Sequence, residues 1–177
     1  MFGEYIPLGP LLQWLQDLVG LAGADAGREV KSFSVGKVRV APNICFESMM
    51  PRVINSQVRT LVARGQSPDV LINITNDSWF RGSTMLDHHL ASSQLCAVEN
   101  RRPLLVAANT GLTASIDSSG RVLELAERLT AEAILAEPQA DSRWGLVQSF
   151  GYPLSWLCAA ITVLALLSLF RVNPRLS

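Results

Sequence analysis

The chain has 177 residues, with 15 Lys and Arg against 15 Asp and Glu, so its formal net charge is zero. A neutral chain lacks the basic face on which nucleic-acid binders depend, and we therefore predict no nucleic-acid partner. The length suits one domain with a sizeable core, whereas 49% hydrophobic and only 17% charged residues favour a protein that contacts a membrane.

The first third of the chain predicts a helix, two strands and a second helix. Apolar residues recur at helical spacing from Leu8 to Val19, and this helix fits either the domain core or a membrane surface. The stretch "KSFSVGKVRVAPNICFE" has the pattern of a hairpin-like pair of strands. In "SMMPRVINSQVRTLVARG" we predict a helix, with Ser48 as its N-cap and Gly65 at its end.

The middle of the chain alternates strands with a helix. "DVLINIT" is a continuous apolar strand, as in a sheet that is covered on both faces, and it leads into the loop "NDSWFRGST". A helix is predicted from Met85 to Asn100. The stretches "RPLLVAANTG" and "LTASIDSSGRVLEL" predict strands with a turn at Ser118–Gly120, and "AEAILAEP" predicts a last strand. This order indicates a layered α/β domain over residues 1–150.

The C-terminal region predicts a transmembrane helix over residues 151–171. Pro153 to Phe170 is an uncharged run of eighteen residues, at the short end of what crosses a bilayer as a helix. Tyr152 and Trp156 resemble an interfacial belt at one end, and two arginines follow at the other. By the positive-inside rule, the tail of residues 172–177 is cytoplasmic and the domain lies on the outer face. The alternative is a buried core helix, which rarely lacks a polar stripe.

Cys45 is the candidate nucleophile, because it lies where a strand gives way to a predicted helix. A sharp turn there exposes the sulfur, and a helix N-terminus favours the thiolate. From position alone, a buried small hydrophobic residue is the commoner role of a cysteine, so this alternative stays open. Glu4 and Glu47 are candidate carboxylates for the same site. Neither Cys96, in a predicted helix, nor Cys158 is expected to be reactive.

Three other pairs of polar or aromatic residues are possible site components. His88 and His89 are adjacent, so on a helix they point to different faces, and the chain contains no other histidine. We therefore predict no metal site, and no cofactor. Asn76 and Asp77 are expected to cap or turn the chain at a strand end. Trp79 and Phe80 are expected to line a pocket.

Taken together, several motifs resemble one family. "FGEYIPL", "ICFES", "LINITNDSWF", "HHLASSQLCAVENRRPL" and "AANTGLTASID" occur in the order seen in the C-terminal half of apolipoprotein N-acyltransferases. That family belongs to the nitrilase, or carbon–nitrogen hydrolase, superfamily. The resemblance implies an α-β-β-α sandwich that lacks its N-terminal strands here, followed by one transmembrane helix.

The same resemblance implies a reaction and roles for particular residues. An acyl group passes from a phospholipid, through a cysteine thioester, to the N-terminal amine of a diacylglyceryl-cysteine lipoprotein. Cys45 matches the nucleophile, while Glu4 and Glu47 match assisting carboxylates. Phe46 takes a place often held by tyrosine, and with Trp79 and Phe80 it is predicted to bind substrate. The implied location is the inner membrane, with the domain in the periplasm.

The chain departs from the family pattern at its start. The family's general-base glutamate and oxyanion-stabilising lysine precede the "FGEY" motif, and this sequence begins at Met1, directly before it. We therefore expect a fragment that is inactive alone, or one whose missing part is supplied by a separate chain. Two rival functions stay open: an amidase or nitrilase acting on small C–N bonds, and a membrane-anchored, non-catalytic relative.

Overall fold

The computed structural model describes residues 29–172 of the chain, with side chains as far as residue 168. Six strands are present: β1 (Phe33–Val35), β2 (Val38–Ile44), β3 (Val70–Thr75), β4 (Leu104–Ala108), β5 (Ala114–Ile116) and β6 (Val122–Leu125). Four α-helices accompany them: α1 (Pro51–Ala63), α2 (Met85–Asn100), α3 (Leu146–Phe150) and α4 (Pro153–Val172). Short 3-10 helices span Cys45–Met49 and Asp77–Phe80. The predicted α/β class is confirmed.

All six strands form one mixed sheet, and their order in the sheet is their order along the chain. Strands β2, β3 and β4 are parallel, while β1 at one edge and β5 and β6 at the other run antiparallel to their neighbours. The predicted hairpin is present, and its turn contains Gly36 at φ +61°. Because the three central strands are parallel, the residues that follow them meet at one edge of the sheet.

One face of the sheet is covered by α1 and α2. Ala41, Leu71 and Leu104 are paired across β2, β3 and β4 and are fully buried. They pack in one cluster with helical residues that include Ile54 and Leu61 of α1. Burial of these apolar side chains, at roughly 1.5–3 kcal/mol each, is the main stabilising contribution to this half of the domain.

The opposite face of the sheet is apolar but partly open. Ile44 of β2 is paired with Ile74 of β3, and their side chains are 54% and 53% exposed. Pro42 and Ile72, which are also paired, are half-buried. The described residues thus contain one sheet with α1 and α2 packed on one face. This corresponds to half of the predicted α-β-β-α sandwich.

Two local predictions were wrong. The stretch "AEAILAEP" contains no strand, since the sheet of the described residues ends at β6 and offers this stretch no ladder partner; Leu135 there is 89% exposed. Ser48 is not a helix N-cap. The helix begins only at Pro51, after Met50 in a non-helical conformation, as residues before proline prefer. The helix predicted near residues 8–19 lies outside the described residues.

Other elements match the prediction closely. Helix α2 has the predicted bounds Met85–Asn100, and β3 covers most of "DVLINIT". Helix α4 is present from Pro153 onward. Within the described residues, no helix combines the length and the apolar character that crossing a membrane requires. The predicted membrane span over residues 151–171 is therefore not confirmed.

Candidate active site

The candidate site lies where the three parallel strands end. Cys45 directly follows β2, Asp77 comes two residues after β3, and Asn109 directly follows β4. The carboxyl ends of parallel strands are the usual place for ligands and chemistry in such sheets. Helix α2, which starts beyond the loop after β3, brings His89 to the same edge.

Cys45 occupies a sharp elbow. Its φ is +49°, a left-handed conformation that non-glycine residues rarely adopt and that costs about 1–3 kcal/mol unless its surroundings hold it. The residue is partly exposed. The predicted helix after it is a five-residue 3-10 helix, so the expected support of the thiolate by an α-helix N-terminus does not apply. A partly exposed cysteine at a strained turn after a strand is nevertheless the geometry of a nucleophile elbow.

The carbonyl oxygen of Cys45 has three polar neighbours. Asn73 Nδ2 donates to it at 3.1 Å and Ser48 Oγ at 3.3 Å, and Nε2 of His89 lies 3.2 Å away. Asn73 Nδ2 also donates to Asn43 Oδ1 at 2.6 Å across the β2–β3 register. These contacts, from side chains of β3, α2 and the 3-10 helix itself, hold the strained peptide in place.

Behind the elbow, three buried side chains form a chain of hydrogen bonds. Oδ1 of Asp77 lies 3.0 Å from Nδ1 of His89, and Nε2 of His89 lies 2.7 Å from Oγ of Ser48. Asp77 and His89 are each 3% exposed and Ser48 is fully buried. We call Asp77, His89 and Ser48 the elbow triad.

The carboxylate of Asp77 is held from several sides. Thr75 Oγ1 donates to Oδ1 at 2.7 Å, and the backbone N–H of Asp77 donates to Asn109 Oδ1 at 3.0 Å. Burial alone would raise the pKa of Asp77, but the hydrogen bonds from His89 and Thr75, together with the His89 charge, outweigh it, and the pKa lies below its usual value. Asp77 is therefore anionic at neutral pH.

Glu47 has a structural contact that the sequence did not reveal. Its Oε2 accepts a hydrogen bond from the backbone N–H of Ile44 at 2.7 Å, across the start of the 3-10 helix. Glu47 also lines an open groove of about 520 Å³, together with Arg52 and Gln57 of α1. The predicted role of Glu47 as an assisting carboxylate stays a prediction. The matching prediction for Glu4 lies outside the described residues.

The three aromatic residues proposed to bind substrate differ in exposure and contacts. Phe46 is 42% and Trp79 79% exposed, so both present apolar surface to solvent. Phe80 packs edge-to-face against the His89 ring, with the centroids 6.3 Å apart. Their substrate-binding role remains a prediction.

The two other cysteines differ in burial, and so do the two adjacent histidines. Cys96 is buried, and burial raises the pKa of its thiol to about 12, with a smaller contribution from the charge of Glu99. Cys158 is exposed on α4. His88 is exposed whereas His89 is buried, as expected for adjacent residues on a helix. Within residues 29–172, no group of three or more potential ligands could hold a metal ion.

Sequence reasoning missed the elbow triad. From the sequence, Asp77 is predicted to cap or turn the chain and Ser48 to cap a helix. For His89, the sequence predicts only that it binds no metal. Asn76 does cap the second 3-10 helix as expected, with Oδ1 accepting from the Ser78 N–H at 3.3 Å. One feature of the sequence could have indicated the triad: Asp77 follows a strand, and His89 follows it twelve residues later on a predicted helix. This spacing indicates a contact only when the sheet topology is known.

The chain matches one family model and several curated relatives along most of its length. The carbon–nitrogen hydrolase family model matches residues 8–143. A protein of Rhodopirellula baltica described as an apolipoprotein N-acyltransferase is 39% identical over 170 residues, covering 94% of this chain and 30% of that protein. A Geobacter metallireducens protein of the same description is 32% identical over 160 residues, covering 90% and 30%. The chain thus spans less than a third of these curated relatives.

A solved structure supports the fold. The crystal structure of a CN-hydrolase superfamily protein from Xanthomonas campestris superposes with a TM-score of 0.52 and 18% identity, covering 68% of this chain and 46% of that one. At this identity the likeness shows the fold alone, a nitrilase-like α/β fold with a mixed sheet. The resemblance drawn from the sequence motifs is confirmed.

Proposed function

The chain belongs to the carbon–nitrogen hydrolase family, and from this premise we propose that it carries the nucleophile-bearing part of an apolipoprotein N-acyltransferase. Cys45 is the nucleophile. The observation that carries this proposal is the strained, partly exposed elbow at Cys45, at the carboxyl end of β2. Relatives described as apolipoprotein N-acyltransferases match along 90% or more of this chain, which favours this reaction over others of the family.

The proposed chemistry has two steps. The Cys45 thiolate attacks the ester carbonyl carbon of a phospholipid; a C–S bond forms, the ester C–O bond breaks, and the lysophospholipid alkoxide leaves with a proton. The α-amine of a diacylglyceryl-cysteine lipoprotein then attacks the thioester carbonyl carbon; a C–N bond forms, the C–S bond breaks, and the proton lost by the amine is taken up by the departing sulfur of Cys45. Covalent catalysis of this kind replaces one difficult transfer by two easier ones.

Groups near Cys45 suit particular parts of this chemistry. The thiol proton passes to a base that further protein supplies, as proposed below, and Glu47 and, by the family resemblance, Glu4 are the carboxylates proposed to assist. The exposed aromatic rings of Phe46 and Trp79 offer apolar surface for acyl chains beside the elbow. Their exposure supports a lipid substrate better than a small polar amide.

The proposed location is a membrane. Helix α4 exposes large apolar side chains all round, among them Trp156 at 74%, Ile161 at 57% and Leu164 at 66%. Such a helix is stabilised by contact with lipid. Its start is attached to the globular part, because Tyr152 Oη donates to Glu99 Oε2 at 2.8 Å and Arg52 lies over the Tyr152 ring. We further propose that the domain faces the periplasm and that the C-terminus is cytoplasmic.

We also propose that further protein completes the site. The open sheet face at Ile44 and Ile74 suits a second sheet, as in a sandwich. The chain spans 30% of the two curated relatives described above, so that sheet would come from the rest of a longer protein or from a separate chain. This part would supply the base and oxyanion groups that the family resemblance implies.

The test is acyl-enzyme formation at Cys45. We would insert this sequence in place of the matched region of the Rhodopirellula baltica relative, supply phospholipid with a labelled acyl chain, and map the label by peptide mass spectrometry. We expect a hydroxylamine-labile label on Cys45, its loss in Cys45→Ser, and its retention in the matched control Cys158→Ser. The isolated chain, assayed in parallel, is expected to remain unlabelled. An unlabelled, folded chimera that hydrolyses a small amide instead would overturn the proposal in favour of an amidase.

A further inference from the structure

We propose that the elbow triad of Asp77, His89 and Ser48 positions the nucleophile by holding the backbone carbonyl of Cys45 in its strained orientation. The three residues are positioning residues and do not contact substrate. The inference rests on the proposed role of Cys45, and it adds to that role three residues whose function is to keep the thiol turned outward.

The geometry of the triad resembles the Ser-His-Asp arrangement of serine hydrolases. A carboxylate lies 3.0 Å from Nδ1 of the imidazole and a serine oxygen 2.7 Å from Nε2. Ser48 cannot serve as a nucleophile, however, because it is fully buried and no substrate can reach it. The partly exposed nucleophilic residue at this edge is Cys45, three residues before Ser48. The triad therefore acts on Cys45 through the backbone.

The contact between triad and nucleophile is the carbonyl oxygen of Cys45. Ser48 Oγ lies 3.3 Å from it and His89 Nε2 3.2 Å. Residues in the left-handed region persist only where surrounding contacts over-determine them. With the triad contacts removed, only Asn73 Nδ2 would still donate to this oxygen. The peptide would then relax to a negative φ, and this would change the direction of the Cα–Cβ bond of Cys45.

The hydrogen-bonding partners indicate which form of His89 supports the elbow. The Asp77 carboxylate and the Cys45 carbonyl both accept only, so a ring that donates to both carries a proton on each nitrogen. In the neutral ring that keeps its Nδ1 proton, Nε2 instead accepts the Ser48 hydroxyl, and the Cys45 carbonyl loses both triad donors.

Helix α2 anchors the other end of the elbow. The Ser48 carbonyl accepts hydrogen bonds from Ser92 Oγ at 2.7 Å and from Cys96 Sγ at 3.3 Å. The 3-10 helix is therefore attached to α2 both at the side chain of Ser48 and at its backbone. A displacement of His89 would be transmitted to Cys45, because the carbonyl of Cys45 and the hydroxyl of Ser48 both contact the ring.

The test measures how reactive the Cys45 thiol is in the folded chain, without any lipid. The 177-residue protein would be treated briefly with iodoacetamide, and the modification of Cys45 would be divided by that of the exposed Cys158 as an internal reference. We expect this ratio to fall about tenfold or more in Ser48→Ala and His89→Ala, because a small displacement of a reacting group has effects of this size. Asp77→Asn, which keeps the shape of the side chain, tests the same point if the alanine variants fail to fold.

The matched control is Ser93→Ala. Ser93, on α2, is fully buried like Ser48, but its hydroxyl has no hydrogen-bond partner. This variant should therefore keep the parental Cys45-to-Cys158 alkylation ratio. If the triad only stabilises the fold, its variants unfold more easily but the ratio in the folded protein stays within about twofold of the parent, and the proposal fails. Because no phospholipid is present, this failure is distinct from a failure of the acyltransferase proposal.

Discussion

Gly111 lies against the carboxylate of Asp77 so closely that a Cβ atom at position 111 would overlap Oδ2. The absence of a side chain at Gly111, in the loop after β4, is thus what lets the Asp77 carboxylate reach His89. The "NTG" segment serves the site from both ends, since Asn109 Oδ1 accepts from the backbone N–H of Asp77.

Gly111→Ala is therefore expected to displace Asp77. We predict a loss of about 1–3 kcal/mol in the free energy of unfolding, as for other overpacked buried sites, and a lower Cys45-to-Cys158 alkylation ratio. Urea denaturation and peptide mass spectrometry measure the two effects. The control is Gly36→Ala in the β1–β2 turn, where a Cβ meets no atom within 4 Å and only the φ of +61° is unfavourable. A Gly111→Ala protein with parental stability and ratio would contradict this account.

The pH dependence of stability should reveal the Asp77 carboxylate. Its pKa is lowered in the folded state, so ionised Asp77 stabilises the fold above its unfolded pKa of about 3.9, and this contribution is lost as pH falls through the lower folded value. Asp77→Asn lacks the contribution at every pH. The parent should exceed the variant in unfolding free energy at pH 7, and the gap should narrow below about pH 4. A gap that is the same at pH 7 and pH 3 would argue against this electrostatic role.

Glu47 can be tested for its structural and chemical roles separately. Its carboxylate accepts from the Ile44 N–H at the start of the Cys45–Met49 helix. Glu47→Ala should cost about 0.5–2 kcal/mol of unfolding free energy, as with other lost caps, whereas Glu47→Gln keeps an acceptor oxygen and should cost less. If the carboxylate also assists the chemistry, Glu47→Gln in the chimera should slow acylation of Cys45 despite near-parental stability. Equal acylation rates in Glu47→Gln and parent would leave only the capping role.

Helix α4 should determine membrane binding. We expect the parent protein to float with vesicles of zwitterionic and anionic phospholipid in a density gradient. The double substitution Ile161→Asp and Leu164→Asp should shift most of the protein to the unbound fraction, because buried carboxylates are strongly disfavoured in lipid. The matched control is Leu135→Asp, at a residue that is 89% exposed outside α4. If the α4 substitutions leave flotation unchanged, the proposal that α4 contacts lipid is wrong.

Local pattern was enough to predict most of the regular elements. The apolar strand β3, the helix α2 and the β1–β2 hairpin depend largely on interactions close in sequence, and all three were predicted correctly. "AEAILAEP" was predicted incorrectly, because strand propensity forms no strand without a partner to supply the ladder hydrogen bonds. Pro51 likewise delayed the start of α1, and this turned Ser48 from a predicted cap into a buried hydrogen-bonding residue.

The sequence by itself determined that Cys45 ends a strand at the point where a nucleophile would be exposed, and its motifs were enough to identify the family. Only the tertiary structure decided what holds that cysteine in place. Ser48 and His89 are 41 residues apart in the chain, and Asp77 and His89 are 12 apart. No periodicity relates such residues. They meet because β2, β3 and β4 run parallel and side by side, so that the segments leaving these strands converge with α2 at one edge of the sheet.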